Sequence, residues 1–280
     1  MGLEKKKNTM LKNRIITASI LAPLIVLGVL YLPTMGFAVL WGVLIVIGAW
    51  EWSSLAGLDT SLKRLSFVAP CAALMLSASL WAGVALEWLP GIAASWWFLF
   101  SILLRRIPDK LLTFNYPTAL KLLVGGLVLV SSWILMVWLR FNFGALQVLY
   151  LLLLVWLADI VAYFAGKRFG LTKLAAEISP GKTVAGLYGA LLAGALFALA
   201  VGFYKQFDAV LIVDFVLISV VTVMISVVGD LFESLAKRIR GVKDSGTLLP
   251  GHGGILDRID SMVAAVSVFY LGCYWREIFL

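Results

Sequence analysis

Residues 144–165 read GALQVLYLLLLVWLADIVAYFA, and this stretch decides the class of the fold. It is long enough to cross the roughly 30 Å hydrocarbon core of a bilayer, which takes about 20 residues as a helix. Asp159 is its only charged residue. A run of this length and composition predicts a membrane-spanning helix, and similar runs recur along the chain.

The composition of the whole chain favours the same class. The sequence is 62% hydrophobic and 14% charged, with a mean hydropathy of +1.02, whereas about a quarter of the residues in soluble domains are charged. We therefore predict an all-α, polytopic integral membrane protein with about nine transmembrane helices. The predicted helices cover approximately residues 15–33, 36–56, 66–85, 88–104, 117–138, 144–165, 184–204, 209–229 and 259–278.

The distribution of basic residues predicts the orientation. With the N-terminus in the cytoplasm, an odd number of helices places the C-terminus outside. Only Arg140, Lys205 and Arg276 of the 23 Lys and Arg residues then lie on the outer side, as the positive-inside rule requires. The first apolar run is long and lacks a small-residue cleavage site, so we expect it to be retained as a helix. The expected location is the cell (inner) membrane.

The residue types exclude several functional classes. Cys71 and Cys273 both lie in apolar runs and predict no disulfide framework, and one histidine without paired cysteines predicts no zinc site. The net charge is +8 and the pI is near 9.5. These values do not indicate a nucleic-acid partner, because no basic domain interleaved with aromatic residues lies outside the membrane runs.

Connection lengths predict where function lies. We divide the chain into a cytoplasmic basic tail at 1–14, transmembrane helices at 15–140 and a transmembrane catalytic region at 141–280. Most connections are short, but two cytoplasmic loops, 166–183 and 230–258, are long and polar. Long loops among short ones commonly carry function. Because both lie on one side of the membrane, we expect them to share a site.

The second loop carries most of the candidate chemistry. Residues 228–261 read VGDLFESLAKRIRGVKDSGTLLPGHGGILDRIDS. The spacing i, i+3, i+4 and i+7 places four polar residues on one helix face, namely Asp230, Glu233, Ser234 and Lys237. Asp257, Asp260 and Ser261 repeat this spacing at the start of the last helix. Two faces that bear carboxylates therefore meet at the membrane surface.

This arrangement suits a nucleoside triphosphate. Carboxylates alone would repel its phosphates, but carboxylates that hold Mg²⁺ present a cation that bridges phosphate oxygens. The glycines of the turn 250–254, PGHGG, allow backbone amides to approach an anion closely. Basic residues of the second loop would neutralise the remaining charge, and these are Lys237, Arg238, Arg240, Lys243 and Arg258.

The first loop contains Ser179-Pro-Gly-Lys-Thr183, which ends like the P-loop of nucleotide-binding proteins. The first glycine of that motif is replaced by Ala176, and we expect no strand before the segment, so a P-loop is rejected. Lys182 remains a candidate phosphate ligand, with a solvated loop lysine as the alternative.

The second loop resembles the signature of a known family. Residues 234–246 and 249–260 are similar to the signature of phosphatidate cytidylyltransferases, which are also called CDP-diacylglycerol synthases. In the first half of the chain, the resemblance extends to hydropathy and to Glu51-Trp52 at a helix end.

A second block also resembles the family. It runs from Asp159-Ile-Val-Ala-Tyr163 through Gly166-Lys167 to Ser179–Thr183. The chain departs from the family pattern at Val184-Ala185, where an aromatic and an acidic residue are common. Ala185 is therefore given no role.

The resemblance implies that phosphatidic acid and CTP react to give CDP-diacylglycerol and pyrophosphate, with Mg²⁺ as cofactor. It implies that Asp230 and Asp257 bind the metal, with Asp260 close by. We expect these three residues and His252 to form the catalytic group. With an unperturbed pKa of about 6.5, His252 could carry a proton, but we favour it as a neutral donor to a phosphate oxygen. The expected partners are CTP, phosphatidic acid and membrane lipids, and a homodimer is left open. The substrate-binding residues we expect are Ser179, Lys182, Thr183, Ser234, Lys237, Arg238, Lys243, Asp244, Gly253, Gly254 and Arg258.

Other interpretations stay open at this point. Acidic residues at helix ends can reach the membrane interface, and basic residues can act as anchors there. Asp159 could pair with Lys167 or Arg168, and Asp214 and Glu51 have no assigned role. A transporter would concentrate polar residues near the membrane midplane. A related transferase would use another lipid, and a CTP-dependent lipid kinase would release CDP instead of pyrophosphate.

Overall fold

A computed structural model describes Ser19 and residues 22–85, 87–248 and 253–276. The predicted tail at 1–14 and His252 lie outside these residues. The described residues form eleven helices and two short strands. The helices are α1 (Ala22–Tyr31), α2 (Thr34–Ala56), α3 (Ser61–Leu76), α4 (Ala78–Ala85), α5 (Leu89–Arg106), α6 (Pro108–Thr113), α7 (Thr118–Phe143), α8 (Ala145–Phe169), α9 (Val184–Tyr204), α10 (Ala209–Arg240) and α11 (Leu256–Arg276), and the strands are β1 (Lys173–Ala175) and β2 (Ser179–Thr183).

Among the described residues, five helices are long and apolar enough to cross a membrane. These are α2, α7, α8, α9 and α10, and each coincides with a predicted transmembrane helix. The class of helical membrane protein is thus confirmed. The count of about nine transmembrane helices is not confirmed.

The remaining predicted crossings correspond to helices that are short, interrupted or more polar. The predicted helix at 66–85 is divided at Ser77 into α3 and α4, and Pro70 lies inside α3. Proline lacks the N–H that would continue the helix hydrogen bonds. Helix α5 has 18 residues, and its last turn carries Arg105 and Arg106. Helix α1 is described over only Ala22–Tyr31.

Helix α11 lies at the centre of the bundle, where α2, α5, α7, α8 and α10 pack around it. Its middle residues Ala264, Ala265 and Val266 are fully buried. Because a helix enclosed by other helices faces little lipid, it can carry polar residues. Helix α10 approaches α11 closely at Gly229, where an added Cβ would lie 2.6 Å from both Asp260 O and Ala264 Cβ.

Helix α10 is longer than a bilayer crossing requires. Its 32 residues correspond to about 48 Å at a rise of 1.5 Å per residue, whereas the hydrocarbon core is roughly 30 Å thick. We expect the C-terminal turns to extend beyond that core, because the last turn carries Lys237, Arg238 and Arg240. At the opposite end of the bundle, Asp214 of α10 pairs with Arg276 of α11. This ion pair accounts for Asp214, which the sequence left unassigned.

The first long loop contains a β-hairpin. Strands β1 and β2 are antiparallel, with Lys173 opposite Thr183 and Ala175 opposite Ser179. The expectation that no strand precedes residue 179 is therefore wrong. Strand β1 is too short to show an alternating pattern, and β2 contains a proline and a glycine, which strands disfavour. The hairpin packs against α9 and α10.

The helices of both predicted regions share one hydrophobic core. Helix α2 packs on α7, α8 packs on α9, and α11 contacts members of both groups. Buried residues from before and after residue 140 form a single cluster. The division of the chain near residue 140 stays a prediction.

Candidate active site

One face of α10 carries the four polar residues that the helical spacing predicted. Ser234 Oγ donates a hydrogen bond to Asp230 Oδ1 at 3.1 Å, one helical turn away. Lys237 Nζ likewise contacts Glu233 Oε2 at 3.1 Å. The face therefore presents two carboxylates, each held by a donor on the same helix.

Lys237 also joins α10 to α11. Its Nζ lies 2.6 Å from Asp257 Oδ1, and the two side chains are 11% and 7% exposed. A buried charge is costly unless it is paired and hydrogen-bonded. The pairing with Asp257 and Glu233 satisfies that condition for Lys237.

The second oxygen of Asp257 organises the loop that precedes α11. Asp257 Oδ2 accepts hydrogen bonds from Ser245 N at 2.9 Å, Ser245 Oγ at 2.9 Å and Gly254 N at 2.8 Å. With Lys237, four donors therefore converge on this one carboxylate. Asp257 acts as a structural centre of the loop.

The glycines of the loop fit around these carboxylates. Gly253 has φ of 83°, in the left-handed region that favours glycine. A Cβ on Gly254 would overlap Ser245 Oγ and Glu51 Oε2. The sequence predicted that glycines here let a backbone amide approach an anion. In the structure, the anion that Gly254 N contacts is Asp257.

Lys182 connects the hairpin to α10. Its Nζ lies 2.7 Å from Asp230 Oδ2 and 3.3 Å from Val227 O. The side chains of Lys182 and Asp230 are 21% and 31% exposed. Both groups are therefore accessible to a ligand from one side. Arg238 makes a second link to the hairpin, because its Nε donates to Ile178 O at 3.1 Å.

Further acidic groups lie near Asp230. Asp159 of α8 interacts electrostatically with Lys182, which favours its charged form, and with Asp230, which opposes it. Its pairing with Lys167 or Arg168 stays an untested alternative. Asp260 of α11 interacts with Asp230 and Glu233. Helices α8, α10 and α11 thus contribute five carboxyl groups to the site, those of Asp159, Asp230, Glu233, Asp257 and Asp260, beside the two ammonium groups of Lys182 and Lys237.

Other predicted site residues lie at its margin or serve the fold. Thr183 caps α9 and is buried, since its Oγ1 accepts a hydrogen bond from Gly186 N at 3.1 Å. Ser179 begins β2. Lys243, Asp244 and Arg258 are exposed on and beside the second loop. The role of these residues in substrate binding stays a prediction.

Two residues of the site were missed in the sequence. Glu51 of α2 accepts hydrogen bonds from Ser245, Ile255 and Leu256, and Ser245 contacts both Glu51 and Asp257. The signal for Glu51 was an acidic residue inside an apolar run, where burial is costly without a function. Ser245 gave no signal of its own.

The donor chemistry of the site suits a hard cation. Carboxylate oxygens are the protein ligands that Mg²⁺ prefers, and one or two of them commonly suffice when substrate phosphates complete the shell. Among the described residues, no three acidic, histidine or cysteine side chains are grouped closely enough to hold a metal by themselves.

The comparisons with known proteins identify the family of the chain. The model of the cytidylyltransferase family matches residues 12–275. A phosphatidate cytidylyltransferase of Pseudomonas aeruginosa is 40% identical over 268 residues, which cover 93% of this chain and 96% of the relative. One of Haemophilus influenzae is 36% identical over 281 residues, covering 93% and 97%. One of Bacillus subtilis is 42% identical over 132 residues, covering 46% and 48%. The resemblance noted in the sequence is confirmed, and the chain belongs to the cytidylyltransferase family.

Proposed function

We propose that this chain transfers the CMP group of CTP to phosphatidic acid, which yields CDP-diacylglycerol and pyrophosphate. Membership of the family and the names of the relatives, phosphatidate cytidylyltransferase, support the proposal. The main structural support for this reaction is the junction of α10 and α11. There, residues of the family-like signature bring Asp230, Asp257 and Lys237 together, and the hairpin adds Lys182.

The reaction requires little covalent chemistry from the protein. A phosphate oxygen of phosphatidic acid attacks the α-phosphorus of CTP and forms a new P–O bond. The bond from the α-phosphorus to the bridging oxygen breaks, and pyrophosphate leaves with its electron pair. A phosphate monoester is already a nucleophile, so the site mainly has to align the reactants and offset negative charge.

The contacts of the two lysines suit them to different roles in this reaction. Lys182 is partly exposed and bound to Asp230, so it is suited to contact a phosphate of CTP. Lys237 is buried between Glu233 and Asp257, so it is suited to hold Asp257 in place. Exposed groups on and beside the second loop, Lys243, Asp244 and Arg258, are proposed to contact the rest of the nucleotide.

We propose Mg²⁺ as the cofactor, held by Asp230 and Asp257 with Asp260 nearby. When bound, the ion would offset the negative charge of the phosphates. The fit rests on the excess of carboxyl over ammonium groups at the site. Asp230 is the more exposed of the two proposed ligands, whereas four hydrogen-bond donors already surround the carboxylate of Asp257, which shares one of them, the Ser245 hydroxyl, with Glu51.

We also propose that the site faces the cytoplasm at the inner membrane. The Lys182–Asp230 and Arg238–Ile178 contacts join both long loops at one end of the bundle. A site at one membrane face is expected for an enzyme that combines a water-soluble nucleotide with a lipid. The asymmetry of basic residues favours the cytoplasm as that face.

The test is an assay with the purified chain in mixed micelles that contain phosphatidic acid and Mg²⁺. CTP is labelled at either the α- or the γ-phosphorus. We expect the α-label in the lipid, the γ-label in pyrophosphate, and no reaction when phosphatidic acid is omitted. Diacylglycerol in place of phosphatidic acid is the control lipid.

Two outcomes would overturn the proposal. Transfer of the γ-label to diacylglycerol would identify a lipid kinase. Retention of both labels in CTP, with a folded protein and phosphatidic acid present, would exclude nucleotidyl transfer to this lipid.

A further inference from the structure

Glu51 belongs to the last turns of α2 but binds the loop that precedes α11. Its Oε2 accepts hydrogen bonds from Leu256 N at 2.8 Å and Ser245 Oγ at 3.0 Å, and its Oε1 accepts one from Ile255 N at 3.1 Å. The residue is 5% exposed. A side chain from the N-terminal half of the chain thus enters a site built by the C-terminal half.

Through these hydrogen bonds, Glu51 of α2 caps the N-terminus of α11. The first N–H groups of a helix have no partner within it and carry the positive end of the helix dipole. Ile255 and Leu256 present such groups at the start of α11. Among the ion pairs of the described residues, none involves Glu51. The N-terminus of α11 therefore stabilises its buried carboxylate.

The loop is shaped to admit this carboxylate. A Cβ added at Gly246 would overlap Glu51 Oε1, and a Cβ added at Gly254 would overlap Glu51 Oε2. The absence of side chains at both positions lets the loop close around Glu51. Gly246 and Gly254, which both lie in the stretch that resembles the family signature, thus make room for a residue that lies far away in the sequence.

The neighbouring residue fixes α2 in place. Trp52 Nε1 donates a hydrogen bond to Lys121 O at 2.9 Å, and the Trp52 ring stacks on Phe232 with centroids 5.2 Å apart. These contacts hold the end of α2 against α7 and α10. Glu51 is consequently presented to the loop from a rigid support.

Ser245 connects Glu51 to Asp257. Its Oγ lies 3.0 Å from Glu51 Oε2 and 2.9 Å from Asp257 Oδ2. A hydroxyl group has one hydrogen, so it can donate to only one of these oxygens at a time. A change at Glu51 therefore alters the hydrogen bonding of Asp257 as well as the start of its helix.

We propose that Glu51 is a positioning residue for the transfer reaction. It holds the N-terminus of α11 and Ser245, and through them it sets the place of Asp257. The inference rests on the proposed function, because the reaction gives Asp257 its role. Glu51 itself contacts no substrate in this assignment.

The variant Glu51→Gln tests the inference. Glutamine has nearly the same shape, but it has one acceptor oxygen instead of two, and its amide would face the N–H groups of Ile255 or Leu256. We expect kcat to fall about 10- to 100-fold, the range seen when a residue that orients a ligand is replaced. The KM for CTP should change little, because Glu51 does not bind the nucleotide.

Asp59→Asn is the matched control. Asp59 follows the end of α2 and pairs with Arg240 at the end of α10, but this ion pair is exposed, and neither residue takes part in the hydrogen bonds that join Glu51, Ser245 and Asp257. Exposed ion pairs contribute little to stability. We therefore expect the kcat of Asp59→Asn to stay close to that of the unchanged chain.

Two readouts separate positioning from general support of the fold. Hydrogen exchange at residues 253–260 should be faster in folded Glu51→Gln than in the unchanged chain or in Asp59→Asn. In single-turnover reactions of an Asp257→Asn background, adding Glu51→Gln should cause little further loss, because both changes act through one carboxylate.

The inference would be overturned if Glu51→Gln left kcat or hydrogen exchange unchanged. It would also be overturned if the rate losses of Glu51→Gln and Asp257→Asn multiplied fully in the double variant. If Glu51→Gln does not fold, Ser245→Ala decides, since it removes the shared hydroxyl. A reduced kcat there supports the inference, and a normal one overturns it. Failure of the proposed function is visible separately, because the unchanged chain would make no CDP-diacylglycerol while hydrogen exchange still reports on Glu51.

Discussion

Lys237 Nζ lies 2.6 Å from Asp257 Oδ1, and this contact joins the end of α10 to the start of α11 inside the bundle. Glu233 Oε2 lies 3.1 Å from the same ammonium group. One buried cation therefore holds two carboxylates on neighbouring helices. Its geometry links the stability of the bundle to the arrangement of the candidate site.

We expect Lys237→Met to destabilise the protein. Removal of one partner from a buried ion pair leaves the other charge uncompensated and costs about 3–5 kcal/mol. The free energy of unfolding, measured by SDS titration in mixed micelles, should fall by about this amount. Lys243→Met, on the exposed part of the loop, should leave it unchanged. Equal stability of the two variants would contradict the structural role of Lys237.

Lys182→Ala should weaken the use of CTP more than it weakens folding. Lys182 is partly exposed and pairs with Asp230, so its loss removes positive charge without opening a core. We expect CTP turnover to fall about 10²-fold, as for other single groups that stabilise a transition state. The melting temperature in detergent should barely change. Full activity of this variant would leave Lys182 as a solvated loop residue.

Gly254→Ala should disrupt the loop before α11. The added Cβ would overlap both Ser245 Oγ and Glu51 Oε2, and such overpacking typically costs about 1–3 kcal/mol. We expect lower stability and lower turnover. Gly181→Ala is the control, because a Cβ at Gly181 meets no atom within 4 Å. Similar behaviour of the two variants would show that the close packing around Gly254 is unimportant.

The predicted orientation can be tested with single cysteines. Lys205 and Lys173 are both exposed but follow and precede α9, so they lie at opposite ends of this helix. In intact cells, a membrane-impermeant maleimide should label Lys205→Cys, and it should label Lys173→Cys only after permeabilisation. A reporter fused at Leu280 should read as external. Reversed labelling would place the long loops outside the cytoplasm.

Features that depend on local periodicity could be predicted from the sequence. The apolar runs located the five long helices, and the i, i+3, i+7 spacing placed Asp230, Glu233 and Lys237 on one face of α10. Both signals arise within single helices, where side-chain direction follows from the helix repeat. The family resemblance added the expected chemistry.

Features that depend on contacts between distant segments could not be predicted. Glu51 and Ser245 are separated by 194 positions, and spacing rules do not extend beyond one element. The pairing of Asp214 with Arg276 needed the packing of α10 on α11. The central position of α11 also escaped prediction, because hydropathy detects contact with lipid rather than burial among helices.

We propose that the α10–α11 junction carries out Mg²⁺-dependent CMP transfer through Asp230 and Asp257. The most direct test is a Mg²⁺ titration of CDP-diacylglycerol formation by the unchanged chain, Asp230→Asn, Asp257→Asn and the double variant. Each single change should cost at least about 10²-fold in rate, and the double variant should be little worse because both residues serve one ion. Near-normal turnover at an unchanged Mg²⁺ midpoint in either single variant would contradict the claim.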